Sequence, residues 1–260
     1  MPKFAANLSY LFQEYKIFDR FKAAEDHGFE AIEYQFPYQD NINKLTRSLY
    51  STKLKVKLIN APAGDMSIGQ KGLAGLPNNT TEFLKSIKKG IQFAEELGCH
   101  QIHVMAGILN KKMDPKKFFS ILTYNLNLAS DLCAKQNIRV LIEPINHKSI
   151  PHYGIKNLNQ ALNIIRETRS KNIFLQYDLY HAGINGEDII NSIQKYFSII
   201  KHIQIAGVPG RNEPDTGTLN YLPIFNQIDK LGYKGWIGCE YTPKTNTSDG
   251  LAWINNINND

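Results

Sequence analysis

The chain contains 260 residues, of which 42% are hydrophobic, and it has a formal net charge of +6 at pH 7. This length fits one large domain with a buried core, so we expect a single domain over residues 1–260. The lysines are scattered over helix and loop patterns and no long apolar run occurs, which argues against nucleic-acid and membrane partners and predicts a soluble, cytoplasmic protein.

The first half of the chain alternates short apolar runs with amphipathic stretches. The spacing of the apolar residues predicts strands at 4–7, 31–34, 55–60 and 102–105 and helices at 14–27, 41–53, 79–97 and 115–135. Gly28 and Gly98 mark the ends of two of these helices, because glycine readily takes the left-handed conformation that follows a helix. These elements form four strand–helix units.

The second half repeats the same alternation. It predicts strands at 139–143, 173–178, 202–204 and 235–240, separated by helices near 157–168, 186–197 and 219–231. Eight alternating strands and helices predict an α/β fold in which parallel strands close into a (β/α)8 TIM barrel. An open, doubly wound sheet is the alternative, but no glycine-rich dinucleotide fingerprint follows the first strand.

Four polar residues close the predicted strands of the second half, namely Glu143, Asp178, Gln204 and Glu240. Parallel strands joined by helical crossovers end at the same rim, so we expect these side chains to converge. A carboxylate after a strand can also cap a helix or lie in solvent, but here the pattern recurs in consecutive repeats. Three carboxylates and one amide oxygen suit a hard divalent cation, so we predict a site for Mg²⁺ or Mn²⁺.

Two loops at the same rim are unusual. The loop at 61–78 is long and contains four glycines and two prolines, which is typical of a lid. The loop at 207–217 contains Arg211 and Glu213. Arg211 is a candidate for binding a substrate carboxylate through both arms of its guanidinium. Glu213 is a second candidate substrate-binding residue, or else a structural partner of Arg211 or Lys244.

Two further observations concern isolated residues. The three cysteines, Cys99, Cys133 and Cys239, are far apart and lie in helix or strand patterns, which predicts buried reduced thiols. Glu33 also ends a predicted strand, where it could orient polar groups at the rim or form a salt bridge.

Several motifs together carry a resemblance to a known family over nearly the whole chain. They are Phe-Ala-Ala-Asn-Leu-Ser at 4–9, Phe-Pro-Tyr at 36–38, Pro-Ala-Gly-Asp at 62–65, Leu-Ile-Glu-Pro-Ile-Asn-His at 141–147, Gln-Tyr-Asp-Leu-Tyr-His at 176–181, His-Ile-Gln-Ile-Ala at 202–206, Arg-Asn-Glu-Pro at 211–214 and Gly-Trp-Ile-Gly-Cys-Glu-Tyr at 235–241. With these motifs the chain resembles the hydroxypyruvate isomerase family. That family belongs to the xylose-isomerase-like TIM barrels, which also include ketose 3-epimerases and 2-oxo-tetronate isomerases.

The resemblance implies roles for individual residues. Glu143, Asp178, Gln204 and Glu240 match the family's metal ligands, and Glu143 and Glu240 also match its paired acid/base carboxylates. His181 and Arg211 match substrate-side positions of related epimerases, although a loop histidine is as often a structural hydrogen-bond donor.

The resemblance also implies an activity. We expect metal-assisted isomerisation of hydroxypyruvate to tartronate semialdehyde (2-hydroxy-3-oxopropanoate) through an ene-diolate. Proton transfer and hydride shift both remain open as the route. The alternatives are a 2-oxo-tetronate isomerase, a ketose 3-epimerase and, from another class, a non-catalytic sugar-acid-binding barrel. A phosphodiesterase of the endonuclease IV kind would need metal positions rich in histidine, whereas the strand ends here offer carboxylates and an amide.

Departures from the family pattern leave the substrate open. The chain has Gly207, Val208, Asp215 and Thr218 in a loop where the pattern leads us to expect an acidic residue at 207, glycine at 215 and glutamate at 218. Ile59 stands where a histidine would be expected. The four candidate metal ligands are unaffected, and the oligomeric state is not predicted by the sequence.

Overall fold

A computed structural model describes residues 2–254, and in it eight strands form a closed barrel in chain order. The strands are β1 Phe4–Asn7, β2 Ala31–Glu33, β3 Lys55–Asn60, β4 Gln101–His103, β5 Arg139–Ile142, β6 Ile173–Asp178, β7 Ile200–Ile205 and β8 Ile237–Cys239. The described strand pairs are parallel, and β1 pairs with β8, with Ala5 opposite Gly238. The predicted TIM barrel is confirmed. The stretch Asn255 to Asp260, which its composition predicts to be frayed, lies outside the described residues.

The helices lie between the strands as predicted, with bounds within about three residues of those expected. They are α1 Ile17–Asp26, α2 Ile42–Tyr50, α3 Thr80–Glu96, α4 Pro115–Ala134, α5 Leu158–Thr168, α6 Leu179–Ile184, α7 Ile189–Tyr196 and α8 Leu222–Lys230. The short helix α6 was not predicted. It begins directly after β6, where the Asp178 side chain accepts a hydrogen bond from the Tyr180 N–H and caps the helix.

Local sequence explains where most helices begin. Asn41, Asp114, Asn157 and Asp188 each precede a helix, and their side chains accept hydrogen bonds from backbone N–H groups of its first turn. Pro115 follows its cap at the first helical position, where a missing N–H costs no intrahelical hydrogen bond. The sequence therefore determines the residue at which each of these helices begins.

The chain is organised as two compact units. The first unit contains Met1–Gln35, Asp40–Lys57 and Tyr177–Asp260, and the second contains Phe36–Gln39 and Leu58–Gln176. In the first unit, Phe4 packs edge-on against Phe225 and Trp253, with ring centroids 5.6 and 5.0 Å away. The Trp253 indole N–H donates to the Tyr241 hydroxyl at 3.1 Å, which satisfies a polar group in an apolar core. A single domain over the whole chain stays a prediction.

Phe118 organises the core of the second unit. Its ring is fully buried, and Gly75 and Gly154 approach it so closely that an added Cβ would lie 2.3 and 2.4 Å from ring atoms. Two loops can therefore pack on this ring only with glycine at these positions. Phe118 lies on α4, so the helix anchors part of the 61–78 loop to the second unit.

The predicted lid loop has an anchored part and an exposed part. Gly72 forms an antiparallel bridge with Ala106, and Leu73 is buried. Met66 and Ile68, on a short 3₁₀ helix of the same loop, are 45% and 72% exposed. A lid role stays a prediction.

The cysteines are buried and form no disulfide, as predicted. Burial raises the pKa of the Cys133 thiol to about 12, so this thiol stays protonated at neutral pH. Within residues 2–254, no helix has both the length and the apolar character needed to cross a membrane.

Candidate metal and acid/base site

The first unit contains a buried group of polar side chains, which we call the polar cluster. Its members are 4% exposed or less, and they are Asn7, Glu33, Asp178, His202, Gln204 and Glu240. Asn7, Glu33 and Asp178 are the last residues of β1, β2 and β6, and Glu240 directly follows β8. Gln204 lies inside β7, one residue before its end, because the strand runs to Ile205 rather than ending at residue 204 as predicted.

Two side-chain amides bridge two carboxylates in the polar cluster. The Gln204 Nε2 group donates to Glu33 Oε2 at 2.8 Å and to Glu240 Oε2 at 2.5 Å. The Asn7 Nδ2 group donates to the same two oxygens at 2.9 and 3.3 Å. His202 Nε2 pairs with Glu33 Oε1. Five members of the cluster, all except Asp178, thus form a connected hydrogen-bond network, which restricts their geometry.

Arg211 supplies the positive charge beside this network. Its Nη2 pairs with Glu240 Oε1 and lies 3.4 Å from Asp178 Oδ2. The guanidinium also stacks on the rings of Tyr10 and Tyr180, at 5.2 and 4.8 Å from their centroids. The structure therefore brings the predicted substrate residue Arg211 together with two predicted metal ligands.

Burial controls the protonation of two groups near Arg211. Burial raises the pKa of Glu240 to about 8, with Arg211 lowering it and Asp178 and Glu33 raising it further. Burial also lowers the pKa of His181 to about 4, so this imidazole is neutral near pH 7. His181 Nε2 lies 3.5 Å from Asp178 Oδ2. A neutral imidazole beside carboxylates can donate to an oxygen or bind a cation.

In the second unit, Glu143 lies directly after β5 and is 4% exposed. Its Oε2 is 3.6 Å from Nε2 of His103, the last residue of β4. Close by in the chain, the Tyr153 hydroxyl accepts a hydrogen bond from the Ala106 N–H at 2.9 Å, and burial raises the pKa of Tyr153. Glu143 is therefore a buried carboxylate with an imidazole as its neighbour.

Glu213 makes a structural contact. It is 5% exposed, and its Oε1 accepts a hydrogen bond from the Lys244 backbone N–H at 3.0 Å. This contact joins the loop around residue 213 to the loop after β8. A role for Glu213 in substrate binding stays a prediction.

The structure also explains one departure from the family pattern. A Cβ at Gly207 would lie 2.5 Å from the Glu213 carbonyl oxygen, so the acidic residue expected at 207 does not fit this loop. Gly217 is similarly close, with an added Cβ 2.4 Å from the Val208 nitrogen. Thr218 closes the loop through its N–H, which donates to the Val208 carbonyl oxygen at 2.7 Å.

Asn7, His103 and His202 are site residues to which the sequence patterns assigned no role. Asn7 ends a predicted strand, which is the signal that identified the other candidates and was not applied to it, whereas His103 ends the observed β4 but lies inside the predicted strand at 102–105. His202 gives no such signal, because it lies within β7 and its contact with Glu33 joins residues far apart in the chain.

The sequence and the fold of this chain have known relatives. A sequence model of the xylose isomerase-like TIM barrel family matches residues 21–257. The chain is 41% identical to a 2-oxo-tetronate isomerase from Cupriavidus necator and 38% identical to a hydroxypyruvate isomerase from Escherichia coli, with 98% of each chain covered in both comparisons. It superposes on a crystal structure from Brucella melitensis, described as an AP endonuclease of family 2, with a TM-score of 0.96, 37% identity and coverage of 98% of this chain and 99% of that one. The chain belongs to the xylose isomerase-like TIM barrel family, within the group that includes the hydroxypyruvate and 2-oxo-tetronate isomerases.

Proposed function

We propose that this protein is an isomerase that moves the carbonyl group between adjacent carbons of a short 2-oxo acid. The substrate we favour is hydroxypyruvate, with a 2-oxo-tetronate as the longer alternative, because the relatives named above divide between these two names. The observation that carries the proposal is the polar cluster, in which two buried carboxylates lie against one guanidinium. Such a site can bind an anionic substrate and exchange protons with it.

We propose a divalent cation, Mg²⁺ or Mn²⁺, held by Glu143, Asp178, Gln204 and Glu240. The donor chemistry fits, since carboxylate and amide oxygens suit hard cations, and burial raises the pKa of Glu240 despite the neighbouring Arg211, so positive charge only partly compensates these carboxylates. His181, whose Nε2 lies 3.5 Å from Asp178 Oδ2, is a further candidate ligand, which gives it a second candidate role. When bound, the cation would polarise the substrate oxygens and stabilise the negative charge that develops on them.

The protein's own groups would carry the proton. One of Glu143 and Glu240 removes a proton from the CH₂OH carbon of hydroxypyruvate, which gives the ene-diolate. The other returns a proton to the former carbonyl carbon while the proton of the C3 hydroxyl passes to the C2 oxygen, which gives tartronate semialdehyde. Without a cation, burial raises the pKa of Glu240 to about 8; a bound cation would lower it and leave the ionised carboxylate that proton abstraction requires. Arg211 would hold the substrate carboxylate.

Metal affinity should increase as the pH rises toward about 8. Burial raises the pKa of Glu240 to about 8, so its carboxyl holds a proton below that pH. A cation that binds there must displace this proton. One displaced proton weakens the apparent affinity by about tenfold for each pH unit below the pKa. Calorimetric titration of Mn²⁺ from about pH 6 to about pH 8 measures this slope. An affinity that does not change with pH would contradict the involvement of Glu240.

Replacing Arg211 with Lys should raise KM for the 2-oxo acid by about tenfold or more, with a smaller effect on kcat. Lysine cannot reproduce the planar, two-pronged contact with a carboxylate, and it loses much of the stacking on Tyr10 and Tyr180. Steady-state kinetics at saturating metal measure the change. The control is Arg139→Lys at the exposed start of β5, which should behave as wild type. An unchanged KM in Arg211→Lys would contradict the assignment.

Two other functions give different outcomes in one experiment. The description of the Brucella melitensis structure makes phosphodiester cleavage one rival, and a non-catalytic sugar-acid-binding barrel is the other. Purified protein with Mg²⁺ or Mn²⁺ is incubated separately with hydroxypyruvate, a 2-oxo-tetronate, a ketose and a DNA duplex carrying one abasic site. We expect isomerisation of a 2-oxo acid and intact DNA. DNA cleavage without isomerisation would overturn the proposal, and so would calorimetric binding of a sugar acid without conversion.

A further inference from the structure

Glu33 lies at the centre of the polar cluster but is not among the proposed metal ligands. It is 1% exposed at the end of β2, and its two oxygens receive contacts from Asn7, His202 and Gln204. Gly238 on strand β8, which is two strands away in the barrel, makes room for it, since an added Cβ there would lie 1.8 Å from Glu33 Oε1. The fold therefore provides a specific place for this carboxylate.

The contacts of Gln204 fix the orientation of its amide. Both hydrogens of Nε2 point to carboxylate oxygens, one of Glu33 at 2.8 Å and one of Glu240 at 2.5 Å. The opposite orientation would bring the amide oxygen against Glu33 Oε2, an acceptor that repels it. Because the oxygen and nitrogen of an amide diverge from the same planar carbon, Glu33 directs Oε1 of Gln204 away from the Glu33 oxygen that accepts from Nε2.

Glu33 is itself held from the other side. His202, 1% exposed on β7, contacts Glu33 Oε1 through Nε2, while Asn7 donates to Glu33 Oε2 at 2.9 Å. Groups on β1 and β7 thus fix the position of Glu33 Oε2, the oxygen that accepts the hydrogen bond from Gln204. A carboxylate fixed in this way can impose one orientation on a neighbouring amide.

We propose that Glu33, held by His202 and Asn7, is a positioning residue that orients the Gln204 amide oxygen for cation binding and thereby sets metal affinity. This inference rests on the proposed function, in which Gln204 is a ligand. Glu33 acts through hydrogen-bond geometry, and its negative charge is not the essential property. Hydrogen bonds of this kind to a ligand typically change metal affinity by about 10- to 100-fold.

Two substitutions of Glu33 separate geometry from charge. In Glu33→Gln, the new amide oxygen can accept from Asn7 and Gln204, and its NH₂ group can donate to His202 Nε2 when the imidazole proton is on Nδ1. In Glu33→Asp the charge is kept, but the shorter side chain no longer reaches Gln204. We expect Mn²⁺ affinity within about threefold of wild type in Glu33→Gln and about 10- to 100-fold weaker in Glu33→Asp.

The measurement is the Kd of Mn²⁺ by calorimetry, with circular dichroism to verify folding. Glu33→Met replaces Glu33→Asp if the latter does not fold. In a Gln204→Ala background, Glu33→Asp should cause no further loss, because the group that Glu33 positions is gone. If Glu33→Gln bound Mn²⁺ more weakly than the wild type while Glu33→Asp bound it normally, charge would be the essential property. If Glu33→Asp lost the same Mn²⁺ affinity in the wild-type and Gln204→Ala backgrounds, the role of Glu33 would be independent of Gln204. Either result overturns the inference, whereas absence of Mn²⁺ binding by the wild-type protein would overturn the proposed metal site itself.

Discussion

Replacing Glu240 with Gln should lower kcat/KM for the 2-oxo acid by about 10³-fold while leaving the barrel folded. The amide has the shape of the carboxyl group and can still accept a hydrogen bond from Gln204 or Asn7, so the polar cluster keeps most of its contacts. It cannot accept and return a proton, which is the role proposed for this residue. The loss should appear in kcat even at saturating metal, because proton transfer and not only binding is removed.

Kinetics at saturating Mg²⁺ or Mn²⁺, with thermal unfolding to verify the fold, measure this effect. The control is Glu95→Gln on the exposed face of α3, which should retain wild-type activity. If Glu240→Gln kept more than about one tenth of the wild-type kcat, its acid/base role would be rejected.

The second large effect is expected for Asp178→Asn, which should weaken Mn²⁺ binding by about 100-fold. Asp178 has two roles, to cap α6 and to supply negative charge, and this substitution separates them. Its Oδ1 caps α6 by accepting from the Tyr180 N–H at 2.8 Å, and asparagine caps a helix equally well. Its Oδ2 faces Arg211 at 3.4 Å and His181 at 3.5 Å, and there the negative charge is lost.

Asp188 offers a matched control for Asp178→Asn. It caps α7 in the same way, with Oδ1 accepting from the Asn191 N–H at 3.1 Å, and this hydrogen bond is solvent-exposed. Asp188→Asn should leave Mn²⁺ affinity and thermal stability unchanged. Calorimetry measures the Kd of Mn²⁺ for both variants. Equal affinities of Asp178→Asn and the wild-type protein would show that Asp178 is not a metal ligand.

The topology could be predicted from the sequence because it follows from repeated local patterns. Eight apolar runs separated by amphipathic helices permit few arrangements, and a closed parallel barrel is the one observed. The helix α6 was missed because six residues are too few to show a helical period. Its start depends on Asp178, for which the strand-end pattern favoured metal binding and left helix capping as an alternative.

The candidate site could be predicted in part. Glu240 and Gln204 were found because they follow apolar runs, and the structure places them in hydrogen-bond contact. The network around Glu33 was not predicted, because its contacts join residues 26, 169 and 171 positions apart in the chain. Hydrogen bonds between such distant residues depend on how the strands are packed, which no local pattern records.

We propose that metal-dependent proton transfer isomerises a short 2-oxo acid in this barrel. The most direct test incubates the purified protein with hydroxypyruvate in D₂O, with Mg²⁺ or with EDTA, and follows substrate, product and deuterium by NMR. We predict conversion to tartronate semialdehyde with Mg²⁺, deuterium from solvent in the product, and no conversion with EDTA. Unchanged hydroxypyruvate in both conditions, or equal conversion with EDTA, would contradict the claim.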